Sequence, residues 1–91
     1  MKITIKDKEI ELKYSIRALI MYENISESSF TGGSLTEILT FFYCIILTSS
    51  KDYSLNWDEF LDWVDTDNNI LIEFGEWIKK VHINQNKLKK D

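Results

Sequence analysis

The sequence predicts an α+β fold: a small N-terminal β-hairpin packed on a bundle of about four helices. Three observations predict it. Residues 2–14 alternate apolar and polar side chains in two short runs, the period of half-buried strands. From residue 15 onward the apolar spacing becomes three and four, the period of helices, and Ser15, Ser34 and Asn56 stand as cap residues where that period restarts. The 91 residues are 44% apolar and 29% charged, a composition and length that support one small folded domain.

Each element follows in order. Ile3, Ile5, Ile10, Leu12 and Tyr14 form the inner side of the hairpin. With Asp7 and Lys8 as the turn, Ile5 opposes Ile10, Ile3 opposes Leu12, and Lys6 faces Glu9 outside. Ser15 caps a first helix reaching about residue 24. That helix carries Ile16, Leu19 and Ile20 on one side and Ala18, Met21, Tyr22 and Ile25 on another, so it is expected to be covered on both. Glu23 projects toward the first of these sides, where the helix end is expected to keep it solvated. Residues 25–33 are a connector, rich in serine and glycine and anchored by Phe30; Gly32 and Gly33 lack the lysine and spacing of a phosphate-binding loop.

Ser34-Leu35-Thr36-Glu37 has capping-box spacing and opens a second helix. Leu35, Ile38, Leu39, Phe42, Ile45 and Ile46 form one broad stripe on it, while Phe41, Tyr43, Cys44 and Leu47 occupy the flanks and back. This is more apolar surface than one core-facing side requires, and the surplus predicts a partner surface. Phe41, Tyr43, Cys44, Leu47 and Trp63 are the expected partner-binding residues. A second capping box, Asn56-Trp57-Asp58-Glu59, opens a short helix with Trp57, Phe60, Leu61 and Val64 on one side and Trp63 off that stripe. After a break at residues 66–69, a last helix aligns Ile70, Phe74, Trp77, Ile78 and Val81, with Ile72 facing away. Gly75 inside it marks a close helix approach or a weak point. Residues 1–82 are expected to form the single domain and residues 83–91 a flexible basic C-terminal tail.

The chemistry-bearing residues are few. Eleven basic against fifteen acidic side chains give a net charge of −4, which disfavours nucleic-acid binding. No apolar run approaches the roughly 18 residues that span a bilayer, and the N-terminus has no signal-like apolar core, so the expectation is a cytoplasmic protein with no membrane partner. Cys44 is the single cysteine and can form no intramolecular disulfide. Neither Cys44 nor His82, the single histidine, has the neighbours that metal binding or nucleophilic catalysis requires, so no catalytic residue, metal or cofactor is expected. Asp58, Glu59, Asp62 and Asp65 read as the solvated side of a helix. Asp65-Thr66-Asp67-Asn68-Asn69 alternates oxygen donors but lacks the glycine and distal glutamate of an EF-hand, which favours helix termination and capping there.

The order of these elements carries a resemblance. A charged hairpin ends in Glu11-Leu12-Lys13-Tyr14, then come Arg17-Ala18-Leu19, the pair Tyr22-Glu23, and Phe30 after a serine-rich link. The leucine-led apolar helix at residues 35–47 and Asn56-Trp57-Asp58-Glu59-Phe60-Leu61 follow. The chain resembles the tail assembly chaperones of long-tailed phages and prophages over nearly its whole length; Ser26-Glu27-Ser28-Ser29 stands where that family commonly has a Gly-Lys-Ser-like link. The resemblance implies a nonenzymatic factor of the bacterial host cytoplasm. It would hold the tape measure protein, the major tail tube protein or both through an apolar helical surface during tail assembly, with homo-oligomers formed by some members. The strongly acidic stretch at residues 52–76 motivates an alternative: a small adaptor or inhibitor that binds a host protein through charge.

Overall fold

The computed structural model of the chain describes residues 1–50 and 54–89, with side chains as far as residue 81. Strands β1 (Lys2–Ile5) and β2 (Lys8–Glu11) pair antiparallel around a two-residue turn at Lys6 and Asp7. Both turn residues have positive φ, 50° and 65°, the type I′ geometry whose twist matches that of paired strands. The turn therefore sits one residue earlier than the sequence pattern placed it. Ile3 faces Ile10 and Ile5 faces Lys8, in place of Ile5 against Ile10 and Ile3 against Leu12. Each partner shifts by two residues, which conserves parity, so Ile3, Ile5, Ile10 and Leu12 still share the buried side. The Leu12 amide donates to the Met1 carbonyl at 2.7 Å and carries the pairing one step past the strands.

Helix α1 (Ile16–Ser26) starts at Ser15, whose hydroxyl accepts from the Ala18 amide at 3.1 Å. It ends at Glu27, in the left-handed conformation, whose amide donates to the Glu23 carbonyl. Ala18 and Tyr22 are its buried residues. The expected cover on both sides is not found: Ile16 and Ile20 are 73% and 53% exposed, and Glu23 beside them is exposed as well.

Helix α2 (Leu35–Ser49) is the centre of the fold. It packs against α1, β2 and helix α4 (Asn69–Lys89). Its consecutive phenylalanines point to different neighbours because successive helical residues diverge by about 100°. Phe41 meets Tyr14, Tyr22 and Phe30 at centroid distances of 5.8, 6.0 and 4.4 Å. Phe42 stacks on Phe74 of α4 at 4.0 Å and meets Phe60 and Trp63 edge-on at 5.4 and 5.8 Å. Phe60 and Trp63 belong to helix α3 (Trp57–Thr66), which begins with a complete capping box: Asn56 Oδ1 accepts from the Glu59 amide at 2.8 Å and Glu59 accepts from the Asn56 amide at 3.2 Å.

Contacts among the described residues tie α3 to the hairpin. The Trp63 indole Nε1 donates to the Thr4 carbonyl at 3.1 Å, and Lys6 at the turn forms an ion pair with Glu59. Ser49 Oγ accepts from the Lys13 amide at 2.9 Å, joining the end of α2 to the segment after β2. Helix α3 stops at Asp67, whose carboxylate accepts from the Asn69 amide at 3.0 Å; residues 65–69 thus act in capping. Helix α4 remains helical through Lys89, across most of the segment expected to be a tail; the side chains from residue 82 onward, and residues 90 and 91 altogether, lie outside the described residues.

Gly75 marks no close approach, since a Cβ built there meets nothing within 4 Å. Gly75→Ala is therefore expected to stabilise the protein by about 1 kcal/mol through helix propensity alone, as a higher urea midpoint at unchanged slope. Equal or lower stability would mean that the neighbouring helices depend on the missing methyl.

Candidate docking surface

The five residues expected to meet a partner have been placed differently by the fold. Phe41 and Cys44 have no exposure and serve the core, which removes them from any contact surface. Tyr43 is half-buried; its hydroxyl donates to the Leu55 carbonyl at 2.6 Å and its ring lies edge-on to Trp57 at 5.3 Å. Trp63 is held by the Thr4 carbonyl and by Phe42 and Phe60. Leu47 is half-buried against the core. A helix apolar all round is one enclosed by neighbours, and enclosure is what α2 receives. Only Leu35, at its first turn, stands out among its large apolar residues.

The uncovered apolar surface lies elsewhere. Ile16 and Ile20, one turn apart, form a ridge on the outer side of α1, and Ile72 is 61% exposed on α4. Sequence reading missed the α1 ridge because it assigned cover to both sides of that helix; Arg17, Glu23 and Asn24 beside the ridge were the available signal for a wet surface.

Among the described residues, apolar grooves open between elements. One, of about 300 Å³, is lined by Ile25, Thr40, Tyr43 and Trp57, and so retains Tyr43 from the expected set. Another, of about 260 Å³, runs between the 30–32 loop, the start of α2 and α4; Phe30, Ile38, Gly75 and Ile78 line it, with Thr31, Gly32 and Lys79 at its edges.

Glu37 holds the wall of the second groove. Its amide is capped by Ser34 Oγ at 3.2 Å, but its carboxylate does not close a capping box. It accepts instead from the Thr31 amide at 3.1 Å, the Thr31 hydroxyl at 2.9 Å, the Gly33 amide at 3.0 Å and the Tyr22 hydroxyl at 3.1 Å. Gly33 has little room for a side chain, since a Cβ there would lie 3.2 Å from Thr31 Oγ1. Hydrogen bonds from Thr31 foremost, with those from Tyr22 and Gly33, lower the Glu37 pKa. Between that lowered value and the ordinary one near about 4.3 the unfolded chain binds more protons, so stability rises with pH across this window. It is fully present above the unfolded value and lost as pH falls through the folded one. Glu37→Gln is expected to flatten the acid side of a melting-temperature profile; an unchanged acid slope would deny Glu37 this role.

The remaining chemistry is quiet. Burial pushes the Cys44 thiol up to about 11, far from a reactive thiolate at neutral pH. Lys6, foremost, and the Asn56 amide hold the Glu59 carboxyl below its ordinary value. Among the described residues, no group of three or more His, Cys, Asp or Glu could hold a metal ion, and no helix is long and apolar enough to cross a membrane. The His82 side chain and Asp52, at the start of the acidic stretch, lie outside the described residues. No family model matches the chain, and neither a curated protein nor a solved structure matches it.

Proposed function

We propose that this chain is a phage or prophage tail assembly chaperone, holding an amphipathic helical segment of the tape measure protein, the tail tube protein or both until assembly. The order of elements, from charged hairpin to apolar helix to acidic helix, supports the reading through its resemblance to that family. The observation that carries it is the α1 ridge: Ile16 and Ile20 are more than half exposed in a fold that leaves Leu35 as the one exposed large apolar residue of the far more apolar α2. An amphipathic partner helix covers such a ridge by packing it into the groove between its own side-chain rows. A specific contact of standard size removes about 800 Å² per partner, within reach of a chain this small.

Co-expression with a helical tape measure segment from the same gene cluster tests the reading. Capture that persists from low to high salt is expected, because apolar contacts are not screened. Binding that collapses as salt rises would favour the alternative, an acidic adaptor or inhibitor acting through the exposed Asp58, Asp62 and Asp65 of α3. No capture of either tail protein at any salt would sink the chaperone reading.

A further inference from the structure

We propose that the groove between the 30–32 loop, α2 and α4 seats one bulky apolar side chain of a partner helix, and that a carboxylate flanking that side chain pairs with Lys79. This deepens the chaperone reading and rests on it for the partner's identity alone. The groove holds about 260 Å³, below the range of about 300–1,000 Å³ typical of pockets that enclose small molecules. Its walls are the apolar faces of Phe30, Ile38 and Ile78, and its floor at Gly75 is bare backbone. A side chain entering it would meet the carbon of Phe30, Ile38 and Ile78, with open space at Gly75.

The charge around the groove selects the flank. Lys79 is its charged lining residue, and it makes no ion pair with any described carboxylate. Glu37, behind the loop wall, turns its carboxylate to Thr31, Gly33 and Tyr22 and makes no ion pair with Lys79. Glu76, one turn before Lys79, is exposed and forms no ion pair with it either. On a chain of net charge −4, Lys79 sets one ammonium without an ion pair to any described carboxylate on an apolar slot. Ile72, Gly75 and Lys79 follow the spacing i, i+3, i+7 along one ridge of α4, so the floor continues to exposed Ile72 and offers the partner helix a second apolar contact. Acidic helices bearing leucine at helical spacing match this surface; basic ones meet repulsion at Lys79.

The probes are two synthetic helical peptides with identical leucine positions, one flanked by glutamate and one by lysine, titrated into the full chain with isotope-labelled isoleucine methyls. The glutamate peptide is expected to shift the Ile38, Ile72 and Ile78 methyls saturably at low salt. The lysine peptide is expected to bind roughly five- to tenfold more weakly, the scale of one exposed charge pair replaced by repulsion. Lys79→Glu should reverse that preference, and Gly75→Leu, which fills the floor, should abolish the shifts at Ile38 and Ile78. Shifts confined to other isoleucines, no saturable shift, an unchanged order in Lys79→Glu, or full binding by folded Gly75→Leu would each overturn the seat. Loss of tape measure capture with peptide binding intact would remove the chaperone reading and leave the seat standing. Tape measure capture with no peptide binding would remove the seat alone.

Discussion

Phe42→Ala is expected to destabilise the protein by about 3–5 kcal/mol, the loss typical of an aromatic ring removed from a closed core. Phe42 has no exposure and is the ring through which α2 holds two other helices. It stacks on Phe74 of α4 at 4.0 Å and meets Phe60 and Trp63 of α3 at 5.4 and 5.8 Å. Deleting it leaves a void lined by three aromatic rings whose helices cannot all close in at once. Domains of this size are stable by roughly 5–15 kcal/mol in total, so the variant stands close to its unfolding limit at room temperature. The melting temperature should fall by at least about 12 °C, from the usual 4–8 °C per kcal/mol in small domains. Urea unfolding followed by circular dichroism and by tryptophan fluorescence measures it. A loss under about 1 kcal/mol would mean that α3 and α4 are not held to α2 through this ring.

Periodicity made the hairpin and the four helices legible, and local capping chemistry made their starts legible. Ser15, Ser34 and Asn56 each act as N-caps, because a cap requires only a short polar side chain and an amide three residues on. The strand faces were readable for the same kind of reason, since parity survives a slip of the turn by one position. The position of the turn itself depends on which two residues accept left-handed backbone, and Lys6-Asp7 carries no glycine to announce it. The surface of α2 was misread through an ambiguity of principle: a helix apolar all round is either enclosed by its own chain or waiting for another. Which of these holds depends on contacts distant in sequence, such as the Trp63 indole on the Thr4 carbonyl, 59 residues apart. Glu37 shows the same limit at shorter range. Its capping-box spacing was plain, yet its carboxylate turns to Thr31, Gly33 and Tyr22, a choice fixed by where the loop and α1 arrive.

The relocation of free apolar surface from α2 to α1 has a measurable consequence. Ile16→Glu together with Ile20→Glu is expected to abolish capture of a tape measure segment while leaving the fold intact. Both side chains are largely in water in the free protein, so exchanging them for helix-compatible glutamates should change stability by no more than about 0.5 kcal/mol each. In a complex that covers them, the part of each isoleucine still in water contributes roughly 1–2 kcal/mol of apolar burial, and the introduced carboxylates would add their desolvation cost. Their combined removal corresponds to a loss of affinity of at least about 100-fold. Cys44→Ser supplies the opposite case: it places a hydroxyl in the closed core, so it should lower the urea midpoint without altering capture by the folded fraction. Should the double glutamate variant melt like the wild type and still capture the segment, the α1 ridge is not the contact. Should it lose self-association in sedimentation while retaining capture, the ridge joins copies of this chain, and the partner helix must be held by another surface.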